Sequence, residues 1–147
     1  MFNLSMFSER LKELMYYHGE IKSEELAKQI GVSGVAVRGW LNGENEPKLS
    51  TAVQLSDLFA CSLDFLAGRT AKDEEIKQRP LLPFYARLRE VMQKENISRY
   101  AVTRDTAVKD SFFTRWKKGE SPRLSTACEL ADYMKISLDY LTGRTDF

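Results

Sequence analysis

No run of apolar residues in the 147-residue chain approaches the roughly 18 that a membrane-crossing helix needs. Met1 to Phe7 lacks a basic segment leading into a long apolar stretch, and Glu9 and Arg10 follow at once, so the start does not read as a secretory signal. The cytoplasm is the expected location. Histidine occurs once and cysteine twice. Cys61 is followed by Ser62 and Cys128 sits in an apolar helical stripe, so neither has the paired spacing of a metal knuckle or redox motif. Both are expected to be small buried hydrophobes. Missing too are a phosphate-cradling glycine loop and an acid pair in a catalytic setting, so no enzyme, metal or cofactor is expected. No alternating strand pattern appears, and the expected fold is all-α. Finally, charge of one sign is not in excess: the net charge is +1, which argues against promiscuous binding to nucleic acid.

The charge that is present is unevenly spread. Residues 1–70 hold 7 Lys/Arg against 9 Asp/Glu, residues 71–83 balance at 3 and 3, and residues 84–147 hold 12 against 9. Attraction for a polyanion therefore belongs mainly to the second half.

The strongest feature is an internal repeat. Pro47-Lys48-Leu49-Ser50-Thr51-Ala52 recurs as Pro122-Arg123-Leu124-Ser125-Thr126-Ala127, and Ser62-Leu63-Asp64-Phe65-Leu66-Ala67-Gly68-Arg69-Thr70 recurs as Ser137-Leu138-Asp139-Tyr140-Leu141-Thr142-Gly143-Arg144-Thr145. Trp40 and Gly43 correspond to Trp116 and Gly119, and Phe7, Leu11, Leu14 and Met15 to Phe84, Leu88, Val91 and Met92. Two single-residue deletions account for the drift in register. The chain divides into copy one (1–70), a charged and proline-bounded linker (71–83) whose Leu81 and Leu82 can pack against either copy, and a diverged copy two (84–147).

Each copy reads as five short helices. In copy one, Ser8 is a candidate cap for a first helix ending near Gly19, with positions 7, 11, 14 and 15 on one face. Ser23 or Glu24 opens a second with Leu26, Ala27 and Ile30 inward, and Gly31 ends it in a left-handed turn. Ser33 caps a third carrying Val37, Trp40 and Leu41, stopped by Asn42-Gly43. Leu49 to Phe59 forms a fourth, and Ser62 caps a short fifth that ends at Gly68.

Leu26-Ala27, Gly31-Val32-Ser33, Val37, Trp40 and Gly43 have the spacing of a helix-turn-helix. Ala27 is small where the third helix crosses, and Val37 locks that helix down so that its opposite face is free to enter a groove. In these residues, and in the closing Ser-Leu-Asp-Phe/Tyr-Leu-x-Gly-Arg-Thr of both copies, the chain resembles the lambda-repressor/Cro-like family, strongly over 7–70 and moderately over 84–147. The resemblance implies two tandem five-helix domains that bind double-stranded DNA by sequence, usually as a dimer on a palindrome.

It also implies a set of contact residues. At the start of helix two, where the family often has glutamine, stand Ser23 and Arg99, of which Arg99 reaches a phosphate. In copy one the base-reading positions are Gly34, Val35, Arg38 and Gly39, with Ser33, Asn42 and Lys48 around them. Only Arg38 has a side chain able to bond guanine in bidentate fashion. In copy two they are Asp110, Ser111, Thr114 and Arg115, with Lys109, Lys117, Lys118 and Arg123 placed for phosphates. Against copy two, Ala107 stands where a left-handed glycine is expected, and Thr103 replaces the small alanine.

Several of these residues have plainer readings. Trp40 and Trp116 read as packing behind the third helix, and Tyr16, Tyr17 and His18 as an exposed helix end. Phe113 matches core Val37, whereas Phe112 matches Ala36 and suits exposure at a protein interface. The expected function is a DNA-binding transcriptional regulator, a repressor, acting as a homodimer or as a pseudo-dimer within one chain. A protein-interaction module that has lost base readout is the rival, favoured by Gly34, Val35 and Gly39 and opposed by the basic surface of copy two. The antitoxin of a toxin–antitoxin pair would combine both activities.

Overall fold

The computed structural model describes residues 2–73 and 82–145. Copy one comprises α1 (Leu4–Tyr17), α2 (Ser23–Ile30), α3 (Gly34–Leu41), α4 (Leu49–Leu58) and α5 (Leu63–Leu66). Copy two repeats the order as α6 (Phe84–Lys94), α7 (Arg99–Asp105), α8 (Asp110–Lys117), α9 (Leu124–Met134) and α10 (Leu138–Leu141). No strand occurs among the described residues; one isolated antiparallel bridge joins Lys48 to Arg123. Much of the 71–83 connection, including Leu81, lies outside the described residues. Leu82 is partly exposed and lies against Gly143 of copy two.

Each core follows the expected periodicity. Copy one buries Phe7, Leu11 and Met15 of α1 together with Leu26 and Ile30 of α2, Val37 and Trp40 of α3, and Leu55, Leu63 and Leu66. Copy two buries Leu88, Val91 and Met92 of α6 together with Val102, Phe113, Trp116, Leu130 and Leu138. Cys61 and Cys128 are buried and unpaired, and burial pushes both thiols up to about 12, which keeps them protonated and inert.

Two local features differ from the sequence reading. The first helix starts one turn early: Asn3, not Ser8, caps it, accepting from the Met6 amide at 3.1 Å. Ser8 thereby turns inward, and its hydroxyl donates at 2.5 Å to the Trp40 carbonyl at the end of α3, which also accepts from the Gly43 amide at 3.2 Å. In copy two no left-handed alanine is needed. Helix α7 stops at Asp105, and Thr106 takes an extended conformation. The Thr106 hydroxyl donates to the Val102 carbonyl (2.7 Å) and accepts from the Val108 amide (3.0 Å), while the Ala107 amide donates to Glu129 (3.0 Å). A threonine side chain closes the turn that Gly31, at φ +74°, closes in copy one.

The two copies pack about a local two-fold axis, and each completes helix ends of the other. Asp64 accepts from the amides of Leu138 (2.9 Å) and Asp139 (3.0 Å), while Asp139 accepts from those of Leu63 and Asp64, both at 3.0 Å. The same exchange recurs at α4 and α9. Ser121 accepts from the Ser50 amide (3.0 Å) and Glu46 from the Ser125 amide (2.7 Å). Between them the backbones pair, Leu49 to Pro122 at 2.8 Å and Leu124 to Pro47 at 3.1 Å.

Arginines tie the arrangement together. Arg69 pairs with its own Asp64 and with Asp132 of copy two (2.7 Å). Arg144 pairs with its own Asp139 (3.2 Å) and with Asp57 of copy one (2.7 Å). This is an isologous interface formed inside one chain, in which a residue and its repeat counterpart make the same contact in exchange. It explains why the two best-repeated segments are these, and not the helix-turn-helix itself.

Burial, reinforced by the neighbouring Asp64 carboxyl, raises the Asp139 carboxyl to about 6. A carboxyl raised above its unfolded value of about 3.9 binds a proton on folding between roughly pH 4 and 6. Its contribution to stability is therefore complete below pH 4 and lost as pH climbs through 6. We expect the denaturant-unfolding free energy of Asp139→Asn, relative to the parent, to lose that pH dependence. A difference between the two proteins that is flat from pH 4 to 7 would contradict the assignment.

Candidate nucleic-acid interface

Helix α3 is held from below and left open above. Ala27 and Leu26 of α2 are buried where Val37 and Trp40 of α3 meet them. The Ser33 hydroxyl accepts from the Ala36 amide at 3.1 Å and so starts α3 at a defined point. With that phase fixed, residues 34, 35, 38 and 42 share the outer side. Val35 is 69% exposed, a large apolar side chain with no cover. Arg38 and Asn42 are exposed, and Lys48 is exposed at the two-fold axis.

An acidic residue that the sequence reading places only as a possible start of α2 alters this face. Glu24, the second residue of α2, pairs with Arg38, and its carboxylate occupies the space a side chain at Gly34 would need. The guanidinium expected to bond guanine is thus engaged, and Ser23 beside it is half-buried. Gly39 also departs from expectation. It is buried, not outward, because Asn45 folds over it so that a β-carbon there would lie 2.7 Å from the Asn45 Nδ2.

Helix α8 is held by an aromatic base. Trp116 meets Phe84 and Phe113 at centroid distances of 5.2 Å, and Phe112 at 6.0 Å. Phe112 is half-buried, not the exposed ring the sequence suggests, since it tilts onto Trp116. Above this base, Ser111, Thr114, Arg115 and Lys118 share the outer side and are exposed, with Lys109 and Lys117 at the helix ends. The Arg115 guanidinium lies 4.8 Å from the Phe112 centroid, which braces it without using its donors.

Arg99 does not stand free for a phosphate. It donates to the Asp110 side chain (2.7 Å) and carbonyl (2.9 Å) and stacks 4.8 Å from Phe113. The clamp neutralises the acid at the start of α8, and as an exposed pair it contributes only about 0.2–1 kcal/mol. Among the described residues no carboxylate pairs with Lys109, Arg115, Lys117 or Lys118, nor with Lys48 or Arg123. Lys48 and Arg123 sit side by side where the loops after α3 and α8 pair, so cations mark the axis between the two outer faces.

The family profile described as "Helix-turn-helix" matches residues 19–66, and the one described as "Cro/C1-type HTH DNA-binding domain" matches residues 87–143. The chain is two Cro/C1-type helix-turn-helix domains in tandem. No curated protein and no solved structure matches it. In these two domains α2–α3 and α7–α8 are the helix-turn-helix pairs, and α3 and α8 are the second helices that the motif presents outward. Domains of this type support a DNA-binding regulator. No described helix is long and apolar enough to cross a membrane.

Sequence reasoning took Glu24 only as a helix start, and missed its reach to Arg38, the cover that Asn45 lays over Gly39, and the axial network that joins Asp57, Asp64, Arg69, Asp132, Asp139 and Arg144. A signal for the network was present. Charged residues repeated in register outside the motif, in a segment otherwise apolar, call for partners, and the repeat itself supplies them.

Proposed function

We propose that the protein is a cytoplasmic transcriptional repressor that grips one operator with both of its helix-turn-helix domains, the single chain doing what a homodimer does elsewhere. The observation that carries this reading is the reciprocal capping of Asp64 and Asp139, which sets α3 and α8 on either side of a two-fold axis. A rigid two-fold matches the pseudo-symmetry of duplex DNA, whose successive major-groove faces recur about every 34 Å. On this reading Lys109, Lys117, Lys118 and Arg123 neutralise phosphates, and Ser111, Thr114 and Arg115 meet base edges.

A gel shift of the full chain on duplex DNA, at two salt concentrations, tests it. Affinity should fall steeply with salt, by about one unit of log–log slope for each phosphate neutralised. Lys118→Ala should reduce that slope by about one and weaken all sequences alike. If no duplex is retained even at low salt, the reading fails. The second reading, a protein-binding module, draws its support from copy one alone, where Glu24 engages Arg38 and leaves Val35 bare. It predicts that same absence of DNA binding.

A further inference from the structure

The two outward faces are built from different chemistry, although the scaffold beneath them is symmetric. The face of α8 is cationic and rich in hydrogen-bond donors, with Arg115 laid across Phe112 and its donors unspent. That of α3 offers Val35, 69% exposed, at the position matching Ser111, and sets the Glu24 carboxylate over the helix start. Arg38, its one strong donor group, is paired through one guanidinium nitrogen with Glu24. Because the axial network fixes both faces in one chain, they cannot be exchanged for a matched pair by choosing another copy of the protein.

We infer that the operator is lopsided: a guanine-containing half-site read by Arg115 of α8, and a half-site read by α3 through the methyl group of a thymine against Val35. This rests on the DNA-binding reading above. A major-groove guanine presents N7 and O6 to a bidentate guanidinium, and of α3 and α8 only α8 has one that no acid among the described residues engages. A bare branched apolar side chain can make no hydrogen bond to a base, so its one specific target in the major groove is the thymine methyl. The Glu24–Arg38 pair cancels the one cation on the outer side of α3, so most of the salt-dependent affinity falls to the α8 side.

Enrichment of a random duplex library on the full chain tests this directly. The expected motif has two unlike halves. One holds a strongly specified guanine whose preference relaxes by about 5- to 150-fold in Arg115→Ala. The other holds a thymine, and replacing that thymine by uracil, which lacks only the methyl, should weaken binding about fourfold. In Val35→Ala, whose single methyl reaches less far, the same base change should have a smaller effect. The uracil test needs no protein variant, so it stands even if a substitution disturbs folding. An inverted repeat with equal preferences in both halves would overturn the inference while leaving DNA binding intact. So would indifference to uracil. Absence of any enriched duplex would overturn the DNA-binding reading and this inference with it.

Discussion

Arg144→Ala is expected to cost about 3–5 kcal/mol of folding free energy, and to destabilise both copies together. The guanidinium is nearly fully buried and bonded to Asp139 and to Asp57 across the axis. Removing it strands the buried Asp139 carboxylate, which is the costly direction in which to break such a pair. Each copy has its own reporter, Trp40 in one and Trp116 in the other. Unfolding followed by tryptophan fluorescence in single-tryptophan versions should show both transitions moving to lower denaturant by the same amount. A shift confined to Trp116 would mean that the copies unfold independently and that the axial network couples nothing. The counterpart Arg69 is more exposed, so Arg69→Ala should cost less.

Trp116→Ala should be equally severe, at about 3–5 kcal/mol, and should cost more than Trp40→Ala. Trp116 is the hub on which Phe84, Phe112 and Phe113 converge, so truncation opens a cavity bounded by three rigid rings that cannot collapse into it. Trp40 is as deeply buried but packs among smaller groups, and the positions matching Phe112 and Phe113 are Ala36 and Val37. Thermal or denaturant unfolding of the two variants compares them. Equal losses would show that the aromatic cluster adds nothing beyond the area it buries.

This contrast also shows how copy two tolerates its divergence. The left-handed glycine and the small alanine of the motif are gone, yet Thr106 closes the turn with its hydroxyl and the enlarged rings secure α8. The helices, their order and the inward residues were legible in the sequence because a 3.6-residue period and glycine turns are local signals. The repeat made them legible twice. What was not legible depends on rotamers and distant partners. Nothing local says that Glu24 reaches across to Arg38, that Asn45 covers Gly39, or that Arg99 turns to Asp110 rather than outward. The outer face of a helix can be assigned from phase alone, but which of its side chains remain free cannot.

The axis was half legible. Closely repeated segments such as Ser62–Thr70 and Ser137–Thr145 announce a shared role, and asparagine in place of either central aspartate would have removed the charge that the arginines neutralise. Yet identity between copies fits two independent domains as well as two joined ones. The exchange of amide bonds between Asp64 and Asp139, with the matching exchange at α4 and α9 and the Arg69–Asp132 and Arg144–Asp57 pairs, decides for the joined arrangement.

The mass of the chain bound to an enriched duplex, read by native mass spectrometry or sedimentation, goes to the centre of this account. One polypeptide per duplex, spanning two half-sites a helical turn apart, is the predicted result. Two polypeptides on that same duplex, each using a single domain, would contradict it.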